Sequence, residues 1–299
     1  MNQVITKRRL WFIGLLLMAM IEPACAQDRP QDPLKVVASF SILGDFVKNV
    51  GGERVDVTTL VGPDGDVHVY APAPADARKI AEAKLLVING LGLEGWLPRL
   101  LQASGGKAPI ITATKGIAPL KLGSDADPHA WQSVANAKIY VTNIRDALAA
   151  ADPADAEVFR KQAEAYLAKL DALDGEVRQA VKQIPPSRRK VISTHDAFGY
   201  FAAAYGVPFI APVGVSTESE ASARDIARII AQIKTEKIPA VFLENISDPR
   251  LIRRLSAETG AKIGGTLFSD SLTAEKGDAP TYIDMVRHNI KALTSALAD

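Results

Sequence analysis

The sequence predicts an α/β protein of two parallel-sheet lobes joined by one long, rigid backbone helix. Three observations carry this expectation. Between Leu34 and Thr114, short β-branched runs alternate with segments of 3.6-residue period; the same alternation restarts at Lys190; and the most regular amphipathic segment of the chain lies between the two stretches. Strands spaced this closely around helical segments are parallel, because parallel neighbours need a crossover between them.

Residues 1–26 precede both lobes. Lys7-Arg8-Arg9, an apolar run from Leu10 to Ile21 and then Pro23-Ala24-Cys25-Ala26 form the layout of a secretory signal, with cleavage expected after Ala26. The run of about 12 residues falls short of the roughly 20 that a membrane span needs. Lipid attachment at Cys25 calls for a Leu-like residue three positions earlier, where Glu22 stands. Cys25 is the sole cysteine, so a mature chain without it has no disulfide and no Cys-based metal site. The expected location is the periplasm of a bacterial cell.

Residues 27–34, rich in Gln, Asp and Pro, read as a flexible lead. The N-terminal lobe is expected over 35–150: a strand opening at Leu34–Ser39, strand Val55–Val61, helix Ala75–Ala83, strand Leu85–Asn89, helix Leu93–Ala103 and strand Pro109–Thr114. The linking helix is expected within 151–186. Apolar residues recur at Phe159, Ala163, Tyr166, Leu170, Leu173, Val177, Val181 and Ile184; Asp152 stands at the N-cap and Pro153 at N1; Pro185-Pro186 ends it. The C-terminal lobe, 187–299, holds strand Lys190–Thr194, helix Ala197–Tyr205, strand Pro208–Pro212, helix Ser222–Thr235, strand Ala240–Glu244, helix Arg250–Thr259, strand Lys262–Leu267 and helix Tyr282–Leu297.

Composition bounds the function. A chain of 299 residues accommodates two modest cores, and 47% hydrophobic with 23% charged residues excludes disorder. Lys plus Arg number 35 against 34 Asp plus Glu, which offers no basic footprint for nucleic acid. No second apolar run is long enough to span a membrane.

Open parallel sheets bind ligands beyond the carboxyl ends of their strands. In the first half those ends carry Asp66-Val67-His68 after Val55–Val61, and Asp127-Pro128-His129 after Pro109–Thr114 and a loop. In the second half they carry His195-Asp196 after Lys190–Thr194, and Ser269-Asp270 after Lys262–Leu267. Three of the four histidines therefore fall where two facing lobes would bring them together. Three imidazoles and a carboxylate suit tetrahedral coordination of a divalent ion such as zinc. The fourth histidine, His288, lies within the last helix and is expected at the surface. Glu94, Glu244 and Asp196 are expected to cap or pack, with one of them accepting the second nitrogen of a ligand imidazole. Trp96 and Trp131 are expected to pack near the site.

The motifs Val36-Val37-Ala38-Ser39-Phe40, Gly65-Asp66-Val67-His68-Val69-Tyr70, Asn89-Gly90-Leu91-Gly92-Leu93-Glu94-Gly95-Trp96, Asp127-Pro128-His129-Ala130-Trp131 and Thr194-His195-Asp196-Ala197-Phe198-Gly199-Tyr200-Phe201 resemble the ZnuA/TroA-like metal-binding components of bacterial ABC importers, most closely the AztC-type zinc-binding proteins. The resemblance covers nearly all of the mature chain. It implies one metal held between the lobes by His68, His129, His195 and Asp270, delivery to a membrane permease, a monomer and no enzymatic activity. Two departures stand out: Val67 replaces the usual Pro before the first histidine, and Lys115–Pro128 lacks the His-rich insertion of many zinc members, which leaves room for a separate exported metallochaperone.

Manganese members of that family have Glu where His195 stands, so the nitrogen-rich set here favours Zn2+, with Mn2+ as the alternative. An exported zinc enzyme is the rival class, but four convergent donors close the coordination position that catalysis leaves open, and no His-Glu-x-x-His pattern is present. A haem, cobalamin or siderophore carrier would need a wide aromatic pocket, and aromatics make up only 6% of the chain.

Overall fold

Two four-stranded parallel sheets organise the protein, seen in a computed structural model that describes Met1, residues 32–122 and residues 125–298. Residues 2–26 of the expected signal segment and residues 27–31 of the lead lie outside the described residues, and the last residue of the lead, Leu34, already belongs to the first strand. From Pro33 onward the chain forms one compact unit.

The first sheet contains β1 (Leu34–Phe40), β2 (Val55–Val61), β3 (Leu85–Ile88) and β4 (Ile110–Thr112) in the order β2-β1-β3-β4. Crossovers are α1 (Ser41–Gly51), α2 (Pro74–Glu82) and α3 (Leu97–Ser104). The central strands are near-continuous apolar runs, with Val36 to Phe40 wholly buried, as strands covered on both faces must be. Helix α3 begins at Leu97 rather than Leu93, because Pro98 fits only a first turn and residues 90–96 form tight turns with Gly90, Leu91 and Gly92 at positive φ.

A two-residue antiparallel pair, β5 (Lys121–Leu122) with β6 (Asp125–Ala126), precedes α4 (Val134–Ala151). The linking segment then opens with a 3-10 turn at Pro153–Asp155, whose entry is capped by Asp152 accepting the Ala154 N–H at 3.2 Å, and continues as α5 (Ala156–Lys182). Its 27 residues at about 1.5 Å each span roughly 40 Å. The expected apolar stripe is buried along its whole length against α1, α4, α6 and α9 (Tyr282–Leu297). One hydrophobic core thus runs from β1 through α5 into the second half of the chain.

The second sheet contains β7 (Val191–Ile192), β8 (Phe209–Ile210), β9 (Ala240–Glu244) and β10 (Lys262–Leu267) in the order β10-β9-β7-β8, with α6 (Gly199–Tyr205), α7 (Ala223–Glu236) and α8 (Arg250–Thr259) as crossovers. Numbered from its own first strand, this sheet repeats the order of the first. Each lobe therefore has one point where the strand order reverses: between β1 and β3, and between β7 and β9. Among the described residues, no helix is long and apolar enough to cross a membrane.

Candidate metal centre

Both reversal points are occupied by a buried glutamate. At the second, Glu244 ends β9 and its Oε1 accepts the backbone N–H groups of Thr194 (2.7 Å) and His195 (3.0 Å), just past β7. At the first, Glu94 accepts Ser39 Oγ–H (2.7 Å) and the N–H groups of Asn89 (2.6 Å) and Gly90 (3.1 Å). Burial pushes the Glu94 carboxyl up, and these donors oppose the shift. Asn89 in turn donates to Pro128 O at 2.9 Å, next to His129. The carboxyl ends of the strands are thus tied to the loops that carry the histidines.

His68, His129, His195 and Asp270 converge, one ligand atom from each lying within 4.8 Å of all the others. His68 Nε2 is 3.2 Å from His129 Nε2 and 3.1 Å from Asp270 Oδ2; His195 Nε2 is also 3.1 Å from Asp270 Oδ2. Donors placed tetrahedrally at 2.0–2.1 Å from one ion lie roughly 3.3 Å apart, so these separations fit a single cation. His129, His195 and Asp270 are fully buried, whereas the His68 side chain keeps 4% of its surface exposed. Asp270 Oδ1 is buried with no hydrogen-bond partner.

Two imidazoles are held from behind. His195 Nδ1 lies 2.6 Å from Glu244 Oε2, and His129 Nδ1 lies 2.8 Å from Asp127 Oδ1, which also accepts the His129 N–H. With Nδ1–H donated to a carboxylate, Nε2 is the free electron pair and points at the common centre. Burial opposes charge on His195, but the carboxylates of Glu244 and Asp270 outweigh it and raise its pKa well above the ordinary imidazole value. His129 is raised in the same way, its burial outweighed chiefly by Asp270. Asp270, despite its burial, is held well below the usual carboxylate range by His195 and His129.

The four residues expected from the sequence are therefore brought together. Of the three acids left undivided there, Glu244 holds the His195 imidazole, Glu94 organises the opposite reversal point, and Asp196 faces Asp127, His129 and His195 at longer range. Asp127 was not singled out, although the spacing Asp-Pro-His made it visible: a carboxylate two residues before a histidine can reach that residue's amide and ring. Trp131 Nε1 donates to Ser269 O at 2.9 Å, fixing the residue before Asp270, and Trp96 Nε1 donates to Val67 O at 2.8 Å, fixing the residue before His68. His288 departs from the expected surface position; its Nε2 meets Thr266 O at 3.0 Å and its ring packs on Phe268, because α9 lies against β10.

The fold and donor set define a metal-binding class, and comparison with known proteins identifies the family. Residues 36–296 match the model of the ZnuA family, described as the periplasmic zinc-uptake complex component A. The chain is similar to the iron-binding protein YfeA of Yersinia pestis, 35% identical with 90% of this chain and 89% of that protein covered. It is similar to the manganese-binding lipoprotein MntA of Halalkalibacterium halodurans, 34% identical with 95% and 97% covered. Among solved structures it is similar to the periplasmic zinc-binding protein TroA from Treponema pallidum, with a TM-score of 0.86, 33% identity and coverage of 90% of this chain and all of that one. The chain belongs to the ZnuA family. It is a metal-binding, solute-binding protein of an ABC transporter and not an enzyme.

Proposed function

We propose that this protein captures one Zn2+ ion with His68, His129, His195 and Asp270 and delivers it to the permease of a zinc importer. The observation that carries this reading is the pair of inward-facing Nε2 atoms of His129 and His195, each imidazole backed by a carboxylate, beside Asp270, whose Oδ2 lies 3.1 Å from His195 Nε2 and whose buried Oδ1 has no hydrogen-bond partner. Relatives named for manganese and iron keep Mn2+ as the second reading. Three nitrogens and one carboxylate form a softer set than an oxygen-rich site, and this chemistry favours zinc.

The donors come from the N-terminal lobe (35–150) and the C-terminal lobe (187–299), joined by the 151–186 link, so a monomer suffices. We place the mature protein in the periplasm after cleavage behind Ala26. Relatives named as lipoproteins make acylation of Cys25 the alternative, and the intact mass of the exported chain decides between the two. Loading by an exported metallochaperone would replace the His-rich loop that this chain lacks.

The test is native mass spectrometry of metal-stripped mature protein offered zinc and manganese together. One retained zinc, lost in His195→Ala and Asp270→Ala but kept in His288→Ala, is the expected result. Retained manganese would move the protein to the second reading. Equal losses in all three variants would overturn the ligand assignment.

A further inference from the structure

His68 differs from the other two imidazoles in how it is held. Among the described residues no carboxylate or carbonyl meets its Nδ1, and it is the one donor with any exposed surface. Its placement depends on its loop. The root of that loop is fastened across the lobes by Asp64 N–H to Leu272 O at 2.8 Å, and Val67 is fastened within its own lobe by Trp96. Between these anchors stands Asp66, whose two oxygens do different jobs: Oδ1 accepts the His68 N–H at 2.9 Å, and Oδ2 accepts the Thr217 hydroxyl at 2.6 Å.

Thr217 belongs to the segment 211–222 between β8 and α7. Its start is fixed, since Val213 N–H donates to Thr194 O and Asp196 N–H to Gly214 O, and its end is fixed by Ser222 capping α7. Over 215–221, among the described residues, the hydrogen bond to another part of the chain is the one from Thr217 to Asp66. This strap lies between two cavities. One, of about 480 Å³, is lined by His195, Thr194, Asp66 and Thr217, and the buried Thr194 Oγ1 has no partner there. The other, of about 1010 Å³, is lined by His68 and Trp96 together with Glu218 of the strap.

We propose that the hydrogen bond from Thr217 to Asp66 is the latch that sets the lifetime of the bound ion. While it stands, the strap separates the two cavities and the Asp66 carboxylate stays set to hold the His68 amide. When it opens, the strap lifts, the cavities join beside His68 and His195, and the ion leaves by way of His68. Thr217 is thus a positioning residue for release, acting through Asp66 rather than touching the ion. This inference rests on the ligand assignment proposed above.

Stopped-flow release of zinc from the loaded mature protein into excess chromogenic chelator tests it. Thr217→Val keeps the shape and removes the donor; Thr217→Ser restores a hydroxyl. The valine variant is expected to release zinc roughly 10-fold faster or more, the scale of one hydrogen bond to a charged acceptor, with the serine variant close to wild type and both melting like wild type. Unchanged release in Thr217→Val, or equal acceleration in both variants, would overturn the latch. His68→Ala, measured at equilibrium alongside, separates the two levels: if it binds zinc like wild type, the ligand assignment itself has failed, whereas lost affinity there with unchanged release in Thr217→Val rejects the latch alone.

Discussion

Glu244 grips His195 twice, with one carboxylate oxygen 2.6 Å from the imidazole Nδ1 and the other on the backbone N–H groups of Thr194 and His195. Because Glu244 is the last residue of β9 and His195 follows β7, the neighbouring strand, the sheet itself sets the direction of the ring.

Removing that support is expected to weaken metal binding without removing a donor. Glu244→Ala should lower zinc affinity by about 10- to 100-fold, the usual scale for a partner behind a ligand, and Glu244→Gln by less, since its amide oxygen still accepts. Competition titration against a calibrated chelator measures both. An alanine variant with wild-type affinity would show that the ring needs no orienting partner.

Acid should drive the ion off. Glu244 and Asp270 raise the pKa of His195 against its burial, and chiefly Asp270 does the same for His129, so the metal-free site keeps its protons to higher pH than free imidazole does. Coordination requires the neutral ring, so zinc must displace those protons. Apparent affinity is therefore expected to rise with pH through the neutral range and to be clearly weaker at pH 5.5 than at 7.5. Calorimetry in buffers of different ionisation enthalpy should register proton release on binding; equal affinity at the two pH values would contradict it.

Much of this was legible in the sequence because the signals were local. All eight elements expected after the link appear: Ala240–Glu244, Arg250–Thr259, Lys262–Leu267 and Tyr282–Leu297 coincide with their expected bounds and the other four end within two residues of them, since β-branched runs and amphipathic periods alternate cleanly there. Two helices were harder to read. Helix α1 leaves β1 without a turn, so nothing marks its start, although Asp45, Lys48 and Asn49 form a polar face opposite Ile42, Phe46 and Val50 and the period was present in the sequence. Helix α4 is diluted by alanines, and its buried residues, from Val134 to Leu148, show as a stripe only once α5 is packed on it. The four side chains that converge were legible by residue type and position; which acid backs which histidine was not, because Glu244 and His195 are 49 residues apart and meet only through strand order.

A buried carboxylate away from the metal predicts a pH effect of opposite sign on stability. Asp45 in α1 accepts the Tyr282 N–H at the start of α9 (3.0 Å) and the Tyr166 hydroxyl of α5 (3.3 Å), joining both lobes to the linking helix. Burial pushes its pKa up to about 6, against those hydrogen bonds. A folded-state pKa above the unfolded value means the contribution is complete below about pH 4 and is lost as pH rises through 6. Asp45→Asn removes the ionisation and keeps an acceptor. In urea titrations of metal-free protein it should gain about 3 kcal/mol over wild type at pH 7.5, roughly half of that at pH 5 and little below about pH 4. A gain that does not depend on pH would exclude this origin.

Gly199 and Gly175 make opposite predictions from the same added methyl group. At Gly199, the first residue of α6, a Cβ would stand 2.6 Å from Asp127 Oδ2, the carboxylate that holds His129. Gly199→Ala should displace Asp127, turn His129 and lower zinc affinity by about 10-fold or more, as removal of a ligand's partner does. At Gly175, in the middle of α5, a Cβ would meet nothing within 4 Å. There alanine should leave affinity unchanged and add about 0.5–1 kcal/mol of stability by reducing the freedom of the unfolded chain. Thermal melting and zinc competition on the two variants separate the effects, and a Gly199→Ala protein that loses stability but keeps its affinity would show that Asp127 has room to move without carrying His129 with it.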